Sequence, residues 1–398
     1  MIHGEVRAMR LFFANYRILG RSLTLATAGW AATLGWTVFG SAPAVAADAQ
    51  IESGLATVRK VGPKGAGHKE ALAAVKMLGT APAAELPAIL AAMDGADLLV
   101  ANWLRGVVET VAQRELDGGG KLPVAALEQF LSQTTHSPRG RRLAYELIAK
   151  VDAQAESRLI PGLINDPSLE LRRDAVALAL RRGESLGTET ADAKAGAALA
   201  FREAFKHARD LDQIKAAAAK LKGLGETVDL PEHFGFIMKW KVVGPFENAG
   251  GGGFDVAYPP EREVSLAAEY DGKKEKVKWA DVSTADDYGV LDLNKLVGPH
   301  KGAIAYAYAE FTSPRDTAAE LRLGSVNANK IWLNGELLAT NAVYHSGSAV
   351  DQYVGAGKLK AGKNVILLKI AQNEQTESWA QDWKFQLRVC DAIGTPIR

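Results

Sequence analysis

The stretch richest in chemistry is Asn373-Glu374-Gln375-Thr376-Glu377-Ser378-Trp379-Ala380-Gln381-Asp382. Three carboxylates and a tryptophan in one short polar segment suit saccharide recognition: an indole face stacks on a sugar ring while carboxylates accept hydroxyl hydrogen bonds. The same residues equally describe an acidic, solvated loop whose tryptophan packs on a sheet edge, and both readings stay open. A second polar stretch holds Tyr344-His345-Ser346-Gly347 and Asp351-Gln352-Tyr353. The candidate ligand-binding residues are therefore Glu374, Glu377, Trp379, Asp382, Tyr344, His345 and Asp351. Glycoside hydrolysis needs two carboxyl groups at a defined separation across a cleft. Spacing along the chain does not supply that, so no residue is assigned as catalytic.

Other patterns imitate chemistry. Gly183-Glu184-Ser185-Leu186-Gly187 has the Gly-x-Ser-x-Gly form of a hydrolase elbow, which must follow a strand and open a helix. Here it follows a helical pattern ending at Arg181-Arg182, and Gly183 reads as a helix C-cap. Gly357 to Lys363 is spaced like a phosphate loop, but Asn364 stands where Ser or Thr would hold magnesium, and a strand pattern follows. It reads as a lysine-rich turn. His68, His136, His207, His233, His300 and His345 are solitary, without metal-ligand spacing. No metal or cofactor is expected. The single Cys390 excludes an intrachain disulfide and reads as a small buried apolar residue.

The elements that must position the acidic segment are strands. Asn334-Gly335 separates Lys330–Leu333 from Glu336–Ala339, a hairpin signal because a type I′ turn needs positive φ at both central residues. Val365 to Ile370 is nearly unbroken apolar sequence, expected to be covered on both faces. Trp383, Phe385, Leu387 and Val389 alternate with Lys384, Gln386 and Arg388, which predicts a sheet with one wet face. Further strands are expected at Phe236–Val242, Lys276–Trp279, Ala303–Phe311 and Glu320–Gly324, spaced for a β-sandwich. The run Gly250 to Gly253 reads as a flexible connection or as a lid hinge over a loop site.

Upstream, His68 to Gly223 has helical period and is rich in alanine and leucine. Turn signals at Asp94-Gly95, Gly118–Gly120, Ser137-Pro138, Asp166-Pro167 and Gly183 divide it into short helices that suit a stack of helix pairs. Asn165-Asp166-Pro167 followed by Leu171-Arg172-Arg173-Asp174-Ala175-Val176 resembles a HEAT repeat, and Ser137-Pro138 with Arg141, Arg142 and Ala144 is a weaker echo. The two prolines are 29 residues apart, short for that repeat, so a generic helical stack remains an alternative. At the N-terminus, Arg7, Arg10, Arg17 and Arg21 precede the uncharged stretch Ser22 to Phe39, and Ala44-Val45-Ala46 has the small-x-small form of a cleavage site. This order predicts a signal peptide over 1–46 and an exported protein, with an uncleaved membrane anchor as the rival. The organisation expected is a leader (1–46), a linker (47–67), a HEAT-like domain (68–225) and a β-sandwich domain (226–398).

With 47 basic and 46 acidic residues, no net charge draws the chain to nucleic acid, and membrane contact is expected only through an uncleaved leader. Trp240, Gly244-Pro245-Phe246, Gly253-Phe254-Asp255, Pro259-Pro260-Glu261, Trp332–Gly335, Leu359–Asn364 and Trp383-x-Phe385-x-Leu387-Arg388 together resemble a β-sandwich module of exported bacterial proteins. That module is similar to the galactose-binding-like jelly rolls found beside carbohydrate-active domains. The likeness covers roughly Phe236 to Asp391, and its motifs are turns and core strands, so it carries over no ligand residue. Where comparable modules often have paired aspartates, this chain has Val326-Asn327-Ala328-Asn329. The resulting expectation is multidomain α + β: a HEAT-like stack, then a jelly-roll sandwich. The function expected is non-catalytic binding of a glycan or envelope protein in the periplasm, the cell envelope or outside the cell. A carbohydrate-active hydrolase and a purely structural scaffold are the alternatives.

Overall fold

Helices come first and antiparallel strands second. The structure, a computed structural model, describes the backbone of residues 42–398 and side chains from Asp48 onward. The charged and apolar parts of the expected leader, and the side chains of its cleavage site, lie outside the described residues. From Gln50 to Arg398 the chain forms one compact unit.

The helices of the first half are α1 (Ala42–Val58), α2 (His68–Leu78), α3 (Leu86–Ala91), α4 (Leu98–Asp117), α5 (Val124–Ser132), α6 (Pro138–Val151), α7 (Ala155–Leu159), α8 (Leu169–Leu186), α9 (Ala191–His207), α10 (Leu211–Gly223) and α11 (Leu230–Phe234). Local chemistry starts several of them. Asp97 accepts the Val100 N–H at 2.8 Å, Thr190 accepts that of Ala193 at 3.1 Å, and Pro138 opens α6. The apolar stripes of α1 to α8 meet in one core containing Leu78, Leu86, Ile89, Leu104, Val108, Leu127, Leu147 and Leu171, and those of α8 to α11 in a second with Val176, Ala204, Ile214 and Phe234. The segment expected as a linker from residue 47 contributes Ile51, Leu55 and Val58 of α1 to the first core. No helix among the described residues is long and apolar enough to cross a membrane.

A buried ion pair ties successive helix pairs. Arg141 of α6 donates through both terminal nitrogens to Asp166 at 2.6 Å each, with 1% and 4% of the two side chains exposed. Asp166 also accepts the Ser168 N–H at 2.8 Å, and its carbonyl accepts Nε of Arg172 at 2.8 Å. Gly183 is not a helix end. Helix α8 continues to Leu186 and stops at Gly187, whose φ of 70° suits the residue that ends a helix. Gly183 instead makes room for the Phe201 ring, which would lie 2.4 Å from an added Cβ.

The strands are β1 (Lys239–Glu247), β2 (Glu269–Asp271), β3 (Lys276–Lys278), β4 (Ala280–Ser283), β5 (Leu291–Asp292), β6 (Ala303–Ser313), β7 (Thr317–Ser325), β8 (Ala328–Leu333), β9 (Glu336–Asn341), β10 (Tyr353–Leu359), β11 (Gly362–Gln372) and β12 (Lys384–Cys390). A sheet ordered β4-β1-β6-β11-β8-β9 faces one ordered β10-β7-β12-β5, and both are antiparallel. Between them lie Trp240, Leu321, Leu323, Ile331, Ile366, Leu368, Trp383, Phe385, Leu387 and Val389. In β6, alanines 303, 305, 307 and 309 enter this core. Ile304, Tyr306 and Tyr308 enter a second core with Phe254, Tyr270 and Val277 on the sheet's other side. Thus β11 is covered on both faces, as its unbroken apolar run requires. Asn334 and Gly335 have φ of 53° and 84°, as the hairpin reading demands.

Two further expectations need correcting. The segment read as a lysine-rich turn is largely strand: β10 runs through Gly357 and Leu359. The Leu338 side chain lies over Gly355 and Gly357, leaving no room there for a Cβ. The expected wet face of β12 is dry, with Gln386 5% and Arg388 3% exposed. Arg388 is covered by Phe234, whose ring lies 5.6 Å from the guanidinium, and by the tail, where the Gly394 carbonyl accepts from it at 3.0 Å.

Candidate functional site

The acidic segment joins β11 to β12, and buried amides fix its two ends. Gln372, fully buried, donates to the carbonyls of Ala380 and Asp382, each at 3.2 Å. Asn327 donates to Gln372 Oε1 and to the Asp382 carbonyl, both at 3.1 Å, and accepts the Lys384 N–H at 3.2 Å. Asn327 and its neighbour Asn329 are wholly internal. Lys301 adds a bond to the Ala380 carbonyl at 2.7 Å. Burial pushes its ammonium below the ordinary range, against the opposing pull of Glu377. Ala380 is fully buried while the residues around it face solvent, so the loop is anchored through its middle as well as its ends.

Four of the candidates come together on this base. Trp379 is 60% exposed, and its ring lies 5.1 Å from that of His345, edge-on at 89°. One ring nitrogen of His345 pairs with Asn373 Oδ1 at 2.9 Å. Tyr344 accepts from Asn248 Nδ2 at 3.1 Å, and burial raises its phenol, so the hydroxyl keeps its proton. Glu374 accepts the Gly250 N–H. That bond places the glycine run against the acidic loop as a short ordered turn, with Gly250 and Gly251 at φ of 61° and 74°. Asn248, fully buried, also donates to the Gln372 carbonyl at 3.0 Å, while its Oδ1 has no partner among the described residues. The result is an exposed indole braced by an imidazole, with a phenol and a carboxylate nearby, on a backbone that cannot easily shift.

The other candidates divide. Glu377 is exposed on the same loop, and Asp382 is held by Lys384 at 2.7 Å. Asp351 is elsewhere. It bridges Arg388 (Nε to Oδ1, 2.6 Å) and Arg322 (Nη1 to Oδ2, 2.9 Å) where β12 meets the helical half. Burial raises its carboxyl, but the two guanidiniums outweigh burial and hold it below the ordinary range. Its role there is to neutralise buried arginines. Ser185 bonds back to the Arg182 carbonyl at 2.9 Å within α8.

Sequence reasoning missed a second polar centre, on the outer face of the six-stranded sheet. Lys369 is fully buried and donates to the carbonyls of Phe254 (2.7 Å) and Val256 (2.8 Å) and to Glu261 (2.8 Å). Tyr306 also donates to Glu261. Burial pushes Lys369 below its ordinary range, with Glu261 opposing. This explains why Gly253-Phe254-Asp255 and Pro259-Pro260-Glu261 stand out in the sequence: they carry the strap that Lys369 fastens to the sheet. A lone lysine inside an apolar strand was the available signal.

No family model matches the chain, and no curated protein matches it. Among solved structures, two of beta-glucosidase from Kluyveromyces marxianus are similar to it, one in complex with glucose and one selenomethionine-labelled. Both have 13% sequence identity and a TM-score of 0.24. The likeness covers 38% of this chain but only 16% and 17% of those chains. It is too slight to bear on fold or activity.

Proposed function

We propose that this protein is an exported, non-catalytic binding protein that holds a glycan against the Trp379 corner of its sandwich, with the helical half as a second surface. The observation supporting this reading most directly is the exposed Trp379 on a loop whose ends and middle are fastened by Gln372, Asn327 and Lys301. A large apolar group left in water on an ordered backbone is suited to stacking on a sugar face. Glu374, Glu377 and Tyr344 supply hydroxyl partners around it. In the same reading the helical half is a HEAT-like stack, supported by the Arg141–Asp166 pair between helix pairs. The sandwich is a galactose-binding-like jelly roll, supported by its two antiparallel sheets.

The hydrolase alternative has less support. Asp382 is paired with Lys384 and Glu374 with a backbone N–H, and the clefts of about 570 and 460 Å³ are lined by other residues. Opposed carboxyl groups across a bound sugar require an enclosing cleft. A glycan array run beside a pull-down from cell-envelope extract tests the reading. Array signals lost in Trp379→Ala support it. A silent array with specific protein partners replaces it with scaffolding, and glycan turnover lost in Glu374→Gln replaces it with hydrolysis.

A further inference from the structure

Another concentration of polar chemistry lies where the helical half meets the C-terminal tail, in a cleft of about 570 Å³. Arg202, Lys206, Arg209, His233, Thr395 and Arg398 are among its lining. We propose that this cleft is an anion site that takes a phosphate or carboxylate group, with Arg209 and Lys206 as its cationic ligands and the Thr395 hydroxyl beside them.

The three carboxylates of the cleft are already engaged. Glu226 takes Arg202 through two bonds of 2.7 and 2.8 Å, Glu232 lies 3.4 Å from Arg398, and Asp229 accepts the Glu232 N–H at 2.8 Å to start α11. Arg209 bonds only neutral oxygens: the Ala208 carbonyl at 2.7 Å, the Lys206 carbonyl at 3.1 Å and Thr395 Oγ1 at 3.3 Å. Among the described residues, neither Arg209 nor Lys206 has a carboxylate at ion-pair distance. Burial, then the charge of Arg172, pushes Arg209 down to about 10, with Asp391 opposing.

Arg172 gives a second, independent observation. It is 3% exposed, and its Nη1 has no partner among the described residues. One unit earlier in the stack, Arg141 is fully satisfied by both oxygens of Asp166. Arg172 donates only to the carbonyl of that same residue, at 2.8 Å. Arg172 thus has no carboxylate bond of its own, Asp166 and Asp391 acting on it only at a distance, and its positive charge stands near Arg209. A half-buried guanidinium with no carboxylate at bonding distance is a ready partner for an anion. An oxyanion in the cleft would engage it through charge-assisted, partly bidentate hydrogen bonds.

The test uses the full chain, with inorganic phosphate and galacturonate as separate probes against sodium chloride at matched ionic strength. The unfolding temperature should rise saturably with one or both probes, by about 2–4 °C over chloride. Which probe saturates identifies the phosphate or the carboxylate source. In Arg209→Gln the apparent affinity should fall about tenfold, as expected for losing a charge-assisted pair. Lys206→Ala changes an exposed side chain and serves if Arg209→Gln does not fold. Phosphate also stabilises proteins generally without saturating, so equal responses in wild type and Lys206→Ala would overturn the site. So would the absence of saturation with both probes.

Discussion

The two outer faces of the sandwich are covered in different ways. The six-stranded sheet is covered by the domain's own strap, fastened by Lys369 to Glu261 and to two carbonyls of the strap. The four-stranded sheet is covered by Phe234 and the C-terminal tail, with Asp351 shared between Arg388 and Arg322. The first cover has one carboxylate for a fully buried lysine. The second has a redundant set, because Arg322 also meets Glu320 at 2.7 Å and Arg388 also reaches the carbonyls of Phe234 and Gly394. The cover of the four-stranded sheet stops short of β10, where Val354 is 46% exposed.

The largest effect should come from breaking the non-redundant cover. Glu261→Gln strands Lys369 inside the sheet and should cost about 3–5 kcal/mol in urea unfolding. The double replacement Lys369→Met with Glu261→Leu should lose less than the single change, because no uncompensated charge remains. Asp351→Asn should cost less, about 2–3 kcal/mol, since its arginines keep other partners. Equal losses at the two positions would remove the distinction between the covers.

A pH series sharpens the junction side. Burial, then Arg209, pushes His233 from 6.5 down to about 4, and burial also lowers His207. The unfolded chain therefore takes up these protons first as pH falls. Their contribution is complete above pH 6.5 and is lost between 6.5 and 4, amounting to about 3 kcal/mol for His233. Urea midpoints at pH 7 and 4.5 should show the drop, and His233→Phe should shrink it. Trp379→Ala should be the smallest, within about 0.5 kcal/mol, because its side chain is mostly in water.

Much of this was legible along the chain, for identifiable reasons. Asn334-Gly335 announces its turn because few residue types accept two positive φ values in succession. Val365 to Ile370 announces a central strand because both of its faces are apolar. What stayed hidden depends on contacts between distant segments. Asp351 looked like a loop ligand because Arg322 and Arg388 become its neighbours only on folding. Arg388 and Gln386 looked wet because the cover over β12 is built from Phe234 and the tail. Gly357 to Lys363 suggested a turn, whereas Gly357 is a strand residue under Leu338. Of the Trp379 corner, the indole, the imidazole and the acids could be named from sequence. The amides of Asn248, Asn327 and Gln372 that hold them could not, since single buried amides leave no spacing pattern.

The most direct test of the account is a tryptophan-fluorescence titration with a glycan taken from the array, comparing wild type with Trp379→Phe and Trp379→Ala. Saturable quenching in wild type, absent from both variants, with binding by calorimetry retained in Trp379→Phe and lost in Trp379→Ala, is the predicted result. Unchanged quenching and affinity in Trp379→Ala would contradict a stacking platform at this corner.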